Sequence, residues 1–112
     1  VTVYIVVHAH ELKPTEDWME YFTTLDTVLK AHGARHLAVG LPDAVIEGSW
    51  DGAVAILEFP STEAFHACYQ DPAYQRVLPL RQNSARLDAV LVTQAAPGGA
   101  TQAARTMSGG AT

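Results

Sequence analysis

Apolar residues dominate VYIVVHAH, residues 3–10, and the pattern predicts a β-strand. Val3, Ile5, Val7 and Ala9 fall on one face, and Tyr4, Val6, His8 and His10 on the other. The first face is wholly apolar and suits a layer of helices. The second mixes an aromatic, an aliphatic and two imidazoles, where a solvent face would carry Lys, Glu or Thr. It is expected to form the wall of a pocket or a second, wetter interface.

A helical period follows. Trp18, Tyr21, Phe22, Leu25, Val28 and Leu29 recur at i, i+3, i+4 and i+7. Thr15 is placed to cap this helix, Glu16 and Asp17 suit its first turn, and Gly33 suits its end. The aromatic stripe is expected to be core. RHLAVG (35–40) predicts a second strand, broken by LPD and resumed by AVIEGSW. Asp51 and Gly52 form a turn signal, and AVAILEF (53–59) predicts a third strand. Pro60 ends it, and Ser61 caps a short helix, STEAFHACYQ. Asp71 and Pro72 open another helical turn, which Pro79 is expected to end or bend. LDAVLVTQ (87–94) predicts the last strand. The small, Gly-rich run beyond Ala96 predicts a flexible tail over 97–112, leaving a folded unit over 1–96.

The order β-α-β-β-α-β is that of the ferredoxin-like fold, an α+β unit with one antiparallel sheet. Helices cover one sheet face. The other carries Tyr4, Val6 and His8 and needs a cover of its own. The simplest cover is a second copy, so a homodimer forming a dimeric α+β barrel is expected.

The chain has 112 residues and a formal net charge of −5. That balance opposes nucleic acid or an anionic membrane as partner. No apolar run approaches the length of a transmembrane span. The first strand starts at once, with no charged and apolar leader before it, and the single Cys68 leaves no internal disulfide. A cytoplasmic protein is expected.

The segments AHGARHLAVG, VIEGSW, AILEFPSTEAFHACYQDPAYQ and LPLR, in that order, resemble domain-of-unknown-function family 1330 (DUF1330), within the dimeric α+β-barrel superfamily. The motifs are E-G-x-W (Glu47, Gly48, Trp50), E-F-P-S (Glu58 to Ser61), D-P-x-Y (Asp71, Pro72, Tyr74) and the later Arg81. The chain departs from the family pattern at Ala34, where Gly is usual, at His36, where an aromatic is common, and at Cys68, where Trp is common. The resemblance implies small-molecule chemistry, in many superfamily members without an organic cofactor: isomerases, cyclases, decarboxylases and monooxygenases. Some relatives bind haem.

His8 and His10 stand two apart on one strand, about 7 Å apart at the backbone, with both rings pointing the same way. That suits acid/base catalysis near neutral pH, or metal binding with His36 or a carboxylate as third ligand. A frayed, solvated His10 is the plain alternative. If Leu37 and Val39 face the helices, His36 joins His8 on the barrel wall. Glu58 then faces the barrel among Val54 and Ile56, and needs a partner such as Arg35 or Arg81. His8, His36 and Glu58 are therefore the candidate catalytic residues. Tyr4, Glu47, Trp50, Tyr74 and Arg81 are candidates for binding substrate, Arg81 at a carboxylate or enolate oxygen. The bland readings are a structural ion pair for Glu58, an interface filler for Trp50 and a surface salt bridge for Arg81. No phosphate-binding, dinucleotide-binding, redox C-x-x-C or zinc-protease motif is present.

The function expected from these residues is cofactor-independent acid/base chemistry on a small aromatic or polyketide-like metabolite of secondary metabolism: isomerisation, cyclisation or oxygenation. No metal is expected, because nothing in the sequence stands behind the histidines as a second shell. The alternative is a non-catalytic homodimer that binds a small molecule or serves a structural role.

Overall fold

The computed structural model describes residues 1–96 and 98–109. Strand β1 (Val3–Leu12) is followed by helix α1 (Glu16–Ala31), strands β2 (Arg35–Gly40) and β3 (Ala53–Phe59), helices α2 (Thr62–Tyr69) and α3 (Pro72–Ser84), strand β4 (Ala85–Thr93) and helix α4 (Gly99–Gly109). The four strands make one antiparallel sheet in the order β2-β3-β1-β4. This is the α+β ferredoxin-like arrangement expected from the sequence.

Local chemistry sets the helix ends. Thr15 Oγ1 accepts from the Trp18 amide at 3.4 Å, Ser61 Oγ from Ala64 at 3.0 Å, and Asp71 Oδ1 from Ala73 at 2.8 Å. Helix α1 stops at Gly33, whose φ of 72° suits a residue without a Cβ. There the Ala34 amide donates to Leu29 and the Gly33 amide to Lys30, which satisfies carbonyls that the helix leaves open.

The alternation of β1 is as expected. Val3, Leu57 and Phe59 are buried, and Ile5, Val7 and Ala55 pack against the same cluster as Tyr21, Leu25, Val28, Leu29, Val77 and Leu78 from the helices. Across the open face, His8 lies between Asp88 and Val54, Val6 between Val90 and Ile56, and Tyr4 between Val92 and Glu58.

The structure differs from the sequence reading in four places. AVIEGSW does not resume a strand; 41–52 is an exposed loop that ends near Asp51. Of the two outcomes expected at Pro79, ending the helix is the one that does not occur, because α3 runs on to Ser84 and packs along α1, and that packing outweighs the lost amide donor. The segment Gly99–Gly109 is helical, with exposed side chains at 100–108; Ala100, Gln102, Ala103, Ala104, Arg105 and Met107 are good helix formers despite the surrounding glycines. Of the predicted flexible tail, residues 97 and 110–112 lie outside the described residues. Finally, the β2–β3 register shifts between His36 and Ala38, so His36 pairs with Leu57 and Val39 with Ala55. This bulge puts both His36 and Val39 on the helix-covered face, which strict alternation from Leu37 does not allow.

Candidate functional site

The helix-covered face is not completely filled. A cavity of about 450 Å³ lies between the sheet and the helices. Its walls are Ile5, Val7, Ala55 and Leu57 of the sheet and Trp18, Phe22 and Leu25 of α1. Among the polar or titratable groups that line this apolar space are His36, Tyr21, Tyr74 and Arg81.

Arg81 is the most informative of them. It comes from the last turn of α3, and its guanidinium carbon sits 6.0 Å from the centre of the Tyr21 ring. Its Nε is buried without a hydrogen-bond partner, alone in this among buried side-chain nitrogens and oxygens of the described residues. A buried donor left unmade is costly, and an acceptor from a ligand would relieve it. The Tyr21 and Tyr74 hydroxyls share a hydrogen bond of 3.2 Å. One proton serves that bond, so the second remains to donate elsewhere. Burial and the Tyr74 hydroxyl push the Tyr21 phenol well above its ordinary range, so it stays protonated. His36 stacks on Phe22, with ring centres 5.3 Å apart. Burial lowers its pKa, which favours the neutral ring that can accept a proton. Cys68 also lines the cavity, but burial pushes its thiol up to about 11, far from a reactive thiolate.

Of the residues singled out in the sequence, His36, Tyr74 and Arg81 line this cavity and His8, Glu58, Tyr4, Glu47 and Trp50 do not. The expected gathering of His8, His36 and Glu58 on one wall is therefore corrected: the bulge at β2 sends His36 to the opposite side of the sheet. Glu58 accepts from Arg35 Nε at 3.0 Å, and Tyr4 donates to Gln94 Oε1 at 3.0 Å. Glu47 lies in the exposed loop. Trp50 stacks on His8, with centres 3.8 Å apart and planes 18° apart.

His8 and His10 belong to a separate cluster. His8 Nε2 donates to the Asp51 backbone carbonyl and lies 2.9 Å from Asp51 Oδ1. His10 Nδ1 is 2.9 Å from the same Oδ1, and His10 Nε2 is 2.9 Å from Asp88 Oδ2. Both ring nitrogens face carboxylates, so hydrogen bonds to Asp88 and then Asp51 raise the His10 pKa.

The sequence reading missed Tyr21, Trp18 and Phe22 as site residues, because a helical aromatic stripe reads as core. Two tyrosines with no obvious partners, Tyr21 and Tyr74, carried the available signal, since a buried phenol must bond to something.

Comparison with curated proteins finds no match. Among solved structures, the fold is similar to a protein of unknown function, RPA0582 of Rhodopseudomonas palustris, at TM-score 0.67 and 19% identity, covering 86% of this chain and 84% of that one. It is also similar to SnoaB, a cofactor-independent oxygenase of Streptomyces nogalater, at TM-score 0.62 and 15% identity, covering 85% and 94%. A third is a dimeric ferredoxin-like protein of unknown function from Thermobifida fusca, at TM-score 0.57 and 13% identity, covering 83% and 91%. These likenesses bear on the fold. The match that covers residues 2–95 is to the family described as "Domain of unknown function (DUF1330)", and the chain belongs to that family.

Proposed function

We propose that the protein carries out cofactor-independent acid/base chemistry on a small, planar aromatic or polyketide-like molecule bound in the cavity between sheet and helices. The observation that carries this reading is the unpartnered Arg81 Nε at an apolar cavity of about 450 Å³, a size suited to a small-molecule ligand. An enol or phenol would place its ring among Trp18, Phe22 and Leu25 and its oxygen at Arg81. Neutral His36 would take the proton. Arg81 and the free hydroxyl proton of the Tyr21–Tyr74 pair would hold the resulting oxyanion. The carbanion character so produced is common ground for isomerisation, cyclisation and reaction with dioxygen. SnoaB, a fold neighbour, is a cofactor-independent oxygenase, which makes oxygenation the first activity to assay. His8 and Glu58, on the other face, are left out of this proton-transfer role.

The protomers are proposed to pair through their open sheet faces, where Val90 and Val92 are exposed beside Val6 and Ile56.

The test is ligand binding followed by turnover. Polycyclic phenols and enolisable ketones are titrated into a Trp50→Phe variant, so that Trp18 reports on the cavity. Phenols should quench its fluorescence, and Arg81→Leu should weaken their binding about 10–100-fold, as expected for a lost hydrogen bond to a charged group. Unsubstituted polycyclics should bind Arg81→Leu nearly as before. Equal phenol binding by both proteins would remove the reading. Binding without consumption of phenol or dioxygen across the panel would favour the non-catalytic alternative.

A further inference from the structure

The cluster on the open face has a geometry that neither the cavity nor the fold requires. His8 Nε2, His10 Nδ1 and an oxygen of Asp51 offer three ligand atoms within 4.8 Å of one another. Asp51 Oδ1 is 2.9 Å from each ring nitrogen. Around a tetrahedral ion with bonds of about 2.0–2.1 Å to nitrogen, neighbouring ligand atoms stand roughly 3.3 Å apart. Small side-chain adjustments would bring the three atoms onto one ion.

We propose that His8, His10 and Asp51 form a binding site for a divalent transition-metal ion of the zinc class, on the side of the sheet opposite the cavity.

Three structural details point the same way. The first is a second shell. With His10 binding through Nδ1, its Nε2–H is already directed at Asp88 Oδ2, 2.9 Å away. A carboxylate behind a metal-bound imidazole fixes the ring and raises its basicity. The sequence offers no sign of this partner, which arrives from β4 across the sheet. The second detail is the backbone. The β1–β4 register shifts between Ala9 and Glu11, leaving His10 as the extra residue of a bulge, and its ring lies 3.9 Å from that of His8. Bulges re-aim side chains in this way. The third is Gly52. A Cβ there would stand 1.8 Å from the Ala9 carbonyl oxygen, and φ is 73°. Only glycine lets the loop press onto β1 closely enough to bring Asp51 to both histidines. Trp50 then covers His8 from the same loop.

Two imidazoles and a carboxylate suit zinc, and also cobalt, nickel or copper, with at least one coordination position left for water. The ion would fasten the end of the 41–52 loop to β1. Ligation uses the lone pairs of His8 Nε2 and His10 Nδ1, so each ring carries its hydrogen on the other nitrogen, that of His10 directed at Asp88 Oδ2.

The experiment uses chelator-treated full chain titrated with zinc by calorimetry and with cobalt by visible absorption. One ion per chain is expected, with the intense absorption of low-coordinate cobalt. His10→Gln should abolish binding. Asp88→Asn, which leaves all three ligands in place, should weaken it roughly 10–100-fold. Circular dichroism on each variant checks that the sheet is intact. If a variant unfolds, the wild-type cobalt spectrum decides alone, since histidine–carboxylate ligation at low coordination number differs from the weak spectrum of hexa-aqua cobalt. An absence of zinc heat and cobalt absorption, or binding unchanged in a folded His10→Gln, would overturn the proposal. Phenol binding in the cavity is read separately, so the two proposals fail independently.

Discussion

The two faces of the sheet handle polar groups in opposite ways. On the helix-covered face the surroundings are apolar, and Arg81 Nε has no partner. On the open face Glu58 meets Arg35, Tyr4 meets Gln94, and His10 meets two aspartates. A satisfied polar group explains itself through the fold. An unsatisfied one in a dry space costs stability, and its retention calls for a ligand. The more abundant histidines on the open face therefore mark the small-molecule site less well than one unpaired guanidinium nitrogen on the other side.

The largest expected effect tests the filled part of the helix side. Leu29 is 1% exposed. Leu29→Ala should lower unfolding free energy by about 2–5 kcal/mol, read from urea midpoints at constant slope. A loss below about 1 kcal/mol would mean that the helix layer is loosely packed and the cavity is not a defined site.

The next effect concerns the open face as an interface. Val90→Lys would bury a charge between two copies, so light scattering should show a dimer for the parent and at least a roughly 100-fold weaker association for the variant. A parent protein that is monomeric at micromolar concentration would remove the pairing.

A smaller effect separates the imidazoles. His36 has a lowered pKa because burial disfavours its charged form. The unfolded chain then takes up this proton first, so stability falls as pH drops below about 6.5, until the folded pKa is passed. His36→Phe should reduce the acid-side fall in melting temperature between pH 7.5 and 5.5. Identical profiles would place the His36 ring in water rather than in the cavity wall.

The smallest effect sharpens the contrast. The Arg35 side chain is 70% exposed in its pair with Glu58. Glu58→Gln should cost less than about 1 kcal/mol, as exposed ion pairs do, and should leave phenol affinity unchanged. A large loss of affinity would connect the two faces and return Glu58 to the site.

Much of the fold was legible because its causes are local. The period-two pattern of β1, the 3.6-residue stripe of α1, the caps at Thr15, Ser61 and Asp71 and the stop at Gly33 each act within a few residues. The family motifs pointed to Tyr74 and Arg81 without giving their surroundings. His36 was placed on the wrong face because one bulged residue reverses every side chain beyond it, and a bulge depends on how β2 meets β3. Tyr21 was hidden for a related reason: a buried aromatic looks the same in sequence whether its neighbour is packed atoms or a hollow.

By itself the sequence determined the order of elements, the apolar face of the first strand, the helix ends and the family. Only the tertiary structure decided where the space was left, which polar group lacked a partner, and that Asp51 and Asp88 meet His10 from opposite sides. Local pattern records whether a residue prefers burial. Whether a buried space is filled, and by what, depends on residues such as Asp51 and Asp88, 41 and 78 positions from His10, and only the folded chain brings them together.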